Sequence, residues 1–337
     1  MTYAKLKTER RRQSYAALSC IALPGIMNPI DKILKNHKII ILDGAMGTEL
    51  GKRGCDINDP LWSAKILAEN PEAIKSVHYD YFNSGADCAI TSSYQATIEG
   101  YVKAGFSPSE ASKLIKKSVE IASEARRDFW ENAESKENRP YPLIAASIGP
   151  YGAFLADGSE YRGDYKITEE ELMDFHRERM KILVEAGADI LACETIPSFI
   201  EAKAIARLIE EFKGVYCWIS FSCKNNLQIS DGTLIADCAR ILDHYEQVAA
   251  VGLNCTAPKY VSSLIKEIRK STKKPVVVYP NSGEEYDADS KGWNGHSEGK
   301  CHGSNAKGWY EDGASLIGGC CRTTPEDIKE IAEWSRT

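Results

Sequence analysis

The chain has 337 residues, 43% of them hydrophobic and 27% charged, with a formal net charge of -6 at neutral pH. This composition suits an ordinary soluble protein with one large core, and the acidic balance argues against a general nucleic-acid or anionic-membrane surface, which needs a basic excess. Eleven cysteines with no disulfide-framework spacing point to a reducing, cytoplasmic setting, and the expected partners are small molecules.

Residues 1–26 stand apart from the rest. Lys5, Lys7, Arg10, Arg11 and Arg12 precede an apolar run from Tyr15 to Met27 that is too short to span a membrane. The outline is that of a targeting segment, but a site built of free thiolates suits an oxidising compartment poorly. Residues 1–26 therefore read as a disordered extension ahead of a single domain spanning 27–337, with a mitochondrial or plastid address as the alternative.

Eight apolar runs follow in order: Ile39 to Leu42, Cys88 to Ile90, Leu143 to Ser147, Ile190 to Cys193, Tyr216 to Phe221, Val248 to Leu253, Pro275 to Tyr279 and Ser315 to Ile317. Between them lie stretches with apolar residues at helical spacing, such as Pro71 to Asn83, Ser109 to Trp130, Glu169 to Ala186 and Ile328 to Trp334. Thr168 with Glu171 three residues on reads as a helix start, as does Thr324 followed by Pro325 and Asp327. Three exits look alike: Ser84-Gly85-Ala86-Asp87, Ala186-Gly187-Ala188-Asp189 and Asp312-Gly313-Ala314-Ser315 each put Gly where a helix ends before a strand. One helix-to-strand device repeated along eight runs predicts a (β/α)8 TIM barrel.

Two connections exceed what a turn needs, Tyr151 to Lys166 and Asn281 to Ala306. Both leave from strand carboxyl ends, so both are expected to overhang the site face. The second holds His296, Cys301 and His302, rival metal ligands that lack a compact spacing and sit on a poorly positioning loop.

The chemistry concentrates in Gly252-Leu253-Asn254-Cys255-Thr256-Ala257-Pro258 and Ser315-Leu316-Ile317-Gly318-Gly319-Cys320-Cys321-Arg322-Thr323-Thr324-Pro325. Each is an apolar run ending in cysteine ahead of a helix start, so Cys255, Cys320 and Cys321 fall at strand carboxyl ends, where such barrels place their chemistry. Three converging thiolates make a metal site, and zinc held by three protein ligands keeps a fourth position open for catalysis. Adjacent side chains on a strand point to opposite faces, so Cys320 and Cys321 share an ion only if the backbone bends. Gly318 and Gly319, tolerant of unusual torsions, are expected to permit that bend. Cys20, Cys55, Cys88, Cys193, Cys217, Cys223 and Cys238 read instead as small core side chains.

With Asp43-Gly44-Ala45-Met46-Gly47-Thr48-Glu49-Leu50, Ser147-Ile148-Gly149-Pro150-Tyr151-Gly152 and Glu194-Thr195-Ile196-Pro197, these segments resemble, in order from about Ile39 to the C-terminus, the homocysteine S-methyltransferase family. Within it the sequence looks closest to the enzymes that use S-methylmethionine. One departure is Cys193, where a bulkier apolar residue is common in the family and whose small side chain is expected to loosen packing behind Glu194.

The resemblance implies that homocysteine joins the zinc and that a sulfonium, S-methylmethionine or S-adenosylmethionine, gives the methyl group. It assigns Asp43 and Glu194 to homocysteine; two acids on the site face suit an amino group, and backbone N–H groups near Gly44 suit its carboxylate. Trp62 and Tyr94 resemble the family's donor-site aromatics, whose faces suit a cation. The same scaffold with selenocysteine as acceptor is the near alternative. A barrel metallohydrolase wants histidine and carboxylate ligands that the strand ends do not offer, and a noncatalytic thiol-metal protein would leave no ligand position open. The oligomeric state is not expressed in the sequence.

Overall fold

Each of the eight apolar runs forms a strand in the computed structural model, which describes residues 27–59, 61–283, 285–287, 292–294 and 302–336. The extension at 1–26, Cys20, His296 and Cys301 lie outside the described residues, as does much of the 281–306 connection. The strands are β1 (Ile40–Ile41), β2 (Cys88–Ile90), β3 (Leu143–Ile148), β4 (Ile190–Ile196), β5 (Cys217–Phe221), β6 (Val248–Asn254), β7 (Val276–Tyr279) and, after the antiparallel pair β8 (Glu285–Asp287) and β9 (Gly292–Asn294), β10 (Leu316–Ile317).

The eight long-range strands pair in parallel in the order β1-β10-β7-β6-β5-β4-β3-β2. A parallel bridge between Leu42 and Cys88 joins the two ends of that order. Asp87 N donates to Ile41 O at 2.7 Å and Asp43 N to Cys88 O at 3.0 Å, so the sheet closes on itself. Each strand is followed by a helix, among them Pro71–Ser84, Pro108–Asn132, Glu169–Glu185 and Pro325–Ser335. The chain is thus a (β/α)8 barrel, as its repeated pattern predicts.

Period-2 alternation divides the core in two. Outward residues such as Ile41, Ile144, Leu191, Ile219 and Val278 join the apolar layer under the helices. Inward residues fill the barrel: Ile40, Leu42, Cys88, Ala145, Ile190, Ala192, Trp218, Ala250, Val277 and Leu316. The alanines leave the space that the fully buried Trp218 occupies. A short helix, Pro29–Leu34, turns Ile30 and Ile33 into this interior cluster.

The local devices read from sequence are present. Thr168 with Glu171 and Thr324 with Asp327 form reciprocal capping boxes, as does Ser107 with Glu110. Gly85, Gly187 and Gly313 adopt φ of 120°, 90° and 115°, a region that costs a residue with a Cβ. Asp87 and Asp189, two residues on, accept from Ile41 N at 3.1 Å and Ile144 N at 2.8 Å, tying each incoming strand to its neighbour.

Strands β6 and β7 approach most closely at Gly252, where an added Cβ would stand 1.7 Å from Val277 O. Gly252→Ala must therefore push these central strands apart. It is expected to cost about 3 kcal/mol and lower the melting temperature by about 4 °C in thermal denaturation. An unchanged melting temperature would mean the strands separate freely.

Candidate functional site

The carboxyl ends of the strands open into a cleft of about 1000 Å³. The loop after β3 closes one side of it with Asp157, Gly158, Glu160 and Tyr161, in keeping with its expected overhang. Asp43, Gly44, Trp62, Tyr94, Glu194, Cys255, Cys320 and Cys321 all line this cleft, so the structure brings together every site residue read from the sequence.

Cys255 follows β6, and Cys320 and Cys321 follow β10; their three Sγ atoms lie within 4.8 Å of one another. Cys255 Sγ stands 2.7 Å from Cys320 Sγ and 3.8 Å from Cys321 Sγ, and the adjacent pair is 4.0 Å apart. A backbone bend does place Cys320 and Cys321 on one side, but not by the expected means. Gly318 and Gly319 have no positive φ. They are glycines for want of space: a Cβ on Gly318 would meet Leu42 Cβ at 2.6 Å, and one on Gly319 would meet Thr323 Oγ1 at 2.2 Å. The bend is a turn in which Cys320 O accepts from Thr323 N at 3.1 Å and Thr323 Oγ1 at 2.7 Å. The left-handed residues are Cys255 (φ 46°) and Arg322 (φ 70°), where a side chain adds strain.

Thiols this close cannot all ionise unaided. Hydrogen bonds from Cys255 and Cys321 push the Cys320 thiol well down, while the bond to Cys320 pushes Cys255 well up. A cation among the three sulfurs would let all of them ionise. Zinc bound by thiolates at about 2.3 Å separates its sulfurs by about 3.8 Å. Two of the three spacings match that value and the third needs to open, so the donor set fits a soft, thiophilic ion. Among the described residues no other group of metal-ligating side chains converges. His302, one of the rival ligands, is buried at the start of its helix and its Nε2 meets Gly318 O at 3.1 Å, behind the thiol turn.

Asp43 and Glu194 flank the cluster on the Cys320 side. Burial pushes Glu194 up to about 8, opposed by the Ser147 hydroxyl bonded to Oε1 and aided by the Cys320 charge. Burial also raises Asp43 well above the carboxylate range, with Ile90 N, 2.9 Å from Oδ2, opposing it. Neither acid is ion-paired with a described Arg or Lys. Two buried carboxyls without a cation are a receptor for one. Gly44 beside them has no room for a side chain, since a Cβ would meet Tyr81 OH at 2.8 Å. Trp62 and Tyr94 meet edge to face at 6.0 Å, each packed on a glycine of the sequence motifs, Gly47 and Gly149.

One layer of the site was read from the sequence only at Glu194. Ser147, Glu194, Ser220, Asn254 and Tyr279 are the uppermost inward positions of β3 to β7, two residues beyond Ala145, Ala192, Trp218, Gly252 and Val277. Trp218 Nε1 donates to Tyr279 OH at 3.0 Å, Tyr279 OH lies 2.6 Å from Ser220 Oγ, and Ser220 Oγ donates to Asn254 Oδ1 at 2.9 Å. Asn254 in turn grips Thr195, accepting from its N at 2.7 Å and donating to its Oγ1 at 2.7 Å. Thr195 holds φ 58°, unusual for a β-branched residue, at a register shift between Cys193 and Ile196. Such a bulge bends the strand just beyond Glu194, where β4 reaches the cleft. Alternation along the strands was the signal that could have found this layer. Cys193 is fully buried, a free thiol in the apolar layer under the helices. Cys88, Cys217 and Cys238 are buried too, and Cys55 and Cys223 pack at the edge of the core.

A family model described as homocysteine S-methyltransferase matches residues 40–335. Homocysteine S-methyltransferase YbgG of Bacillus subtilis is 61% identical over 311 residues, spanning 92% of this chain and 99% of its own. The homocysteine S-methyltransferase of Escherichia coli is 48% identical over 305 residues, spanning 90% and 97%. Among solved structures, the metallated form of the E. coli homocysteine methyltransferase MmuM superposes with a TM-score of 0.83 at 44% identity, covering 91% of this chain and 100% of that one.

Proposed function

The chain belongs to the homocysteine S-methyltransferase family and is an enzyme of that activity, and from this premise we propose that its methyl donor is S-methylmethionine and its metal is zinc, held by Cys255, Cys320 and Cys321. The observation that carries the reading is the juxtaposition of three thiols with two unpaired, buried carboxyls in one cleft at the strand ends. Bound there, zinc would leave a position for the substrate's sulfur and keep that sulfur deprotonated at neutral pH.

The protein's own residues bind and orient. Asp43 and Glu194 take the ammonium of homocysteine, each ionising as the cation arrives. Gly44 lets the chain at the end of β1 pass close to the substrate's backbone atoms. Trp62 and Tyr94 offer ring faces to the sulfonium. Attack of a thiolate on a sulfonium methyl forms one carbon–sulfur bond as another breaks, and the electron pair of the broken bond neutralises the leaving sulfur. A cleft that excludes water favours a reaction in which both charges vanish. The product thioether is a weak ligand and leaves.

The domain boundary near Met27 is supported by Ile30 and Ile33, which plug the barrel from its first helix. A reducing compartment such as the cytoplasm is the setting in which three free thiols persist. No helix among the described residues is long and apolar enough to cross a membrane.

The test is methionine formation from homocysteine by the purified protein, with S-methylmethionine or S-adenosylmethionine, each with and without a zinc chelator. Chelator-sensitive turnover that favours S-methylmethionine is expected. Methionine formed equally well after chelation would remove the metal from the proposal. Failure of homocysteine to react in metal-loaded, folded protein would turn the assignment to selenocysteine as acceptor.

A further inference from the structure

The proposed reaction gives the acceptor's ammonium two carboxylates and gives the cationic donor only aromatic rings. The loop after β3 carries another acid. Glu160 sits in a single 3-10 turn, Ser159–Tyr161, entered through Gly158 at φ 80°. Asp157 Oδ1 accepts from Ser159 N at 2.9 Å, and Ser159 O accepts from Gly163 N at 2.7 Å. The turn folds back on the helix Tyr151–Leu155 so tightly that a Cβ on Gly152 would stand 2.5 Å from Glu160 N. Both ends of the loop are moored to one buried residue: Glu201 accepts from Tyr151 N at 2.7 Å and from the Tyr165 hydroxyl, and is itself bonded to His176 Nε2 at 2.8 Å. Glu160 is therefore presented by a braced segment, as a specific contact requires.

Glu160 lines the same cleft, and the neighbouring Tyr94 hydroxyl works against the upward push of burial on its carboxyl. The charge of Glu160 is felt at Cys321 and at its neighbour Tyr161, which also feels Cys255, whereas Asp43 and Glu194 feel Cys320. Arg162, the nearest base in sequence, also lines the cleft and pairs with Asp164 at 3.3 Å. Burial pushes the Glu160 carboxyl up to about 7, and no described Arg or Lys forms a salt bridge with it. The cleft thus holds a third acid beside Asp43 and Glu194.

We propose that Glu160 is the counter-charge of the methyl donor: its carboxylate, presented by the anchored loop, seats the donor's sulfonium beside the thiols. The proposal deepens, and rests on, the reading that the donor is a sulfonium. It also explains release, because methyl transfer turns the sulfonium into a neutral thioether and ends the attraction. An attraction that fades as the methyl group moves belongs to binding more than to the transition state, so its loss appears chiefly in KM.

The experiment uses the metal-loaded full chain, wild type against Glu160→Gln and Glu160→Asp, with S-methylmethionine varied at saturating homocysteine and trimethylsulfonium as an inhibitor with no amino or carboxyl group. Glu160→Gln is expected to raise the donor KM at least about 10-fold and the trimethylsulfonium inhibition constant by a similar factor, with kcat and the homocysteine KM within about 3-fold of wild type. Glu160→Asp, which keeps the charge, is expected to fall between. Unchanged donor KM and inhibition in Glu160→Gln would overturn the proposal and leave the donor reading standing. A raised donor KM with unchanged trimethylsulfonium inhibition would also overturn it, by placing Glu160 at the donor's amino end. Wild-type protein that neither turns over S-methylmethionine nor binds trimethylsulfonium would remove the donor reading and this proposal together.

Discussion

A Cys255→Ser variant is expected to purify with little metal and to form methionine on the order of 10³-fold more slowly than wild type, the two losses tracking one another. The serine hydroxyl stays neutral where the thiol becomes a charged ligand, and metal affinity falls with each lost thiolate. The position is also the pivot of the cluster: Cys255 Sγ is the atom nearest both partners, at 2.7 and 3.8 Å. Its left-handed backbone is a strain that the surrounding structure must uphold. Metal analysis beside steady-state turnover checks the outcome, and circular dichroism shows whether the barrel has survived. A folded Cys255→Ser protein with full metal and normal turnover would sink the three-thiolate site.

Glu194→Ala should separate substrate binding from metal binding. The variant is expected to retain metal while the homocysteine KM rises on the order of 10²-fold, since an ammonium loses one of its two carboxylates in a buried setting. A matched measurement uses methionine, which carries the same ammonium but no thiol to deprotonate. The Glu194 carboxyl, raised to about 8, is mostly protonated at pH 7 in the free enzyme. Binding a cation lowers that value, so methionine should release a proton as it binds at pH 7. Calorimetry in buffers of different ionisation enthalpy reads this release, and Glu194→Gln should diminish it. Metal lost from Glu194→Ala would instead make the residue a structural support of the thiol cluster.

The barrel was legible because its units repeat. Eight apolar runs, helical spacing between them and the three glycine exits are each local signals, and together they admit one architecture. The thiols were legible because their segments are short and contiguous. The role of Gly318 and Gly319 was misread, because crowding against Leu42 and Thr323 comes from distant segments, and a sequence cannot tell a glycine chosen for torsion from one chosen for space. Asn254, Ser220 and Tyr279 stayed hidden for a related reason. Each looks ordinary in its own strand, and only the register of five strands stacks them into one polar layer under Glu194. Glu160 was visible in its loop, but its value depends on a fold-back that no periodicity announces.

Gly85, Gly187 and Gly313 all stand where helices hand over to strands, on the rim away from the thiols, and Asp87 and Asp189 there bind neighbouring strands through side chain as well as backbone. Architecture is inherited at that rim. The opposite rim, where loops leave the strands, can be lengthened or rewritten without any strand losing its partner. Preference among methyl donors can therefore drift in descendants of this chain while the barrel beneath stays the same.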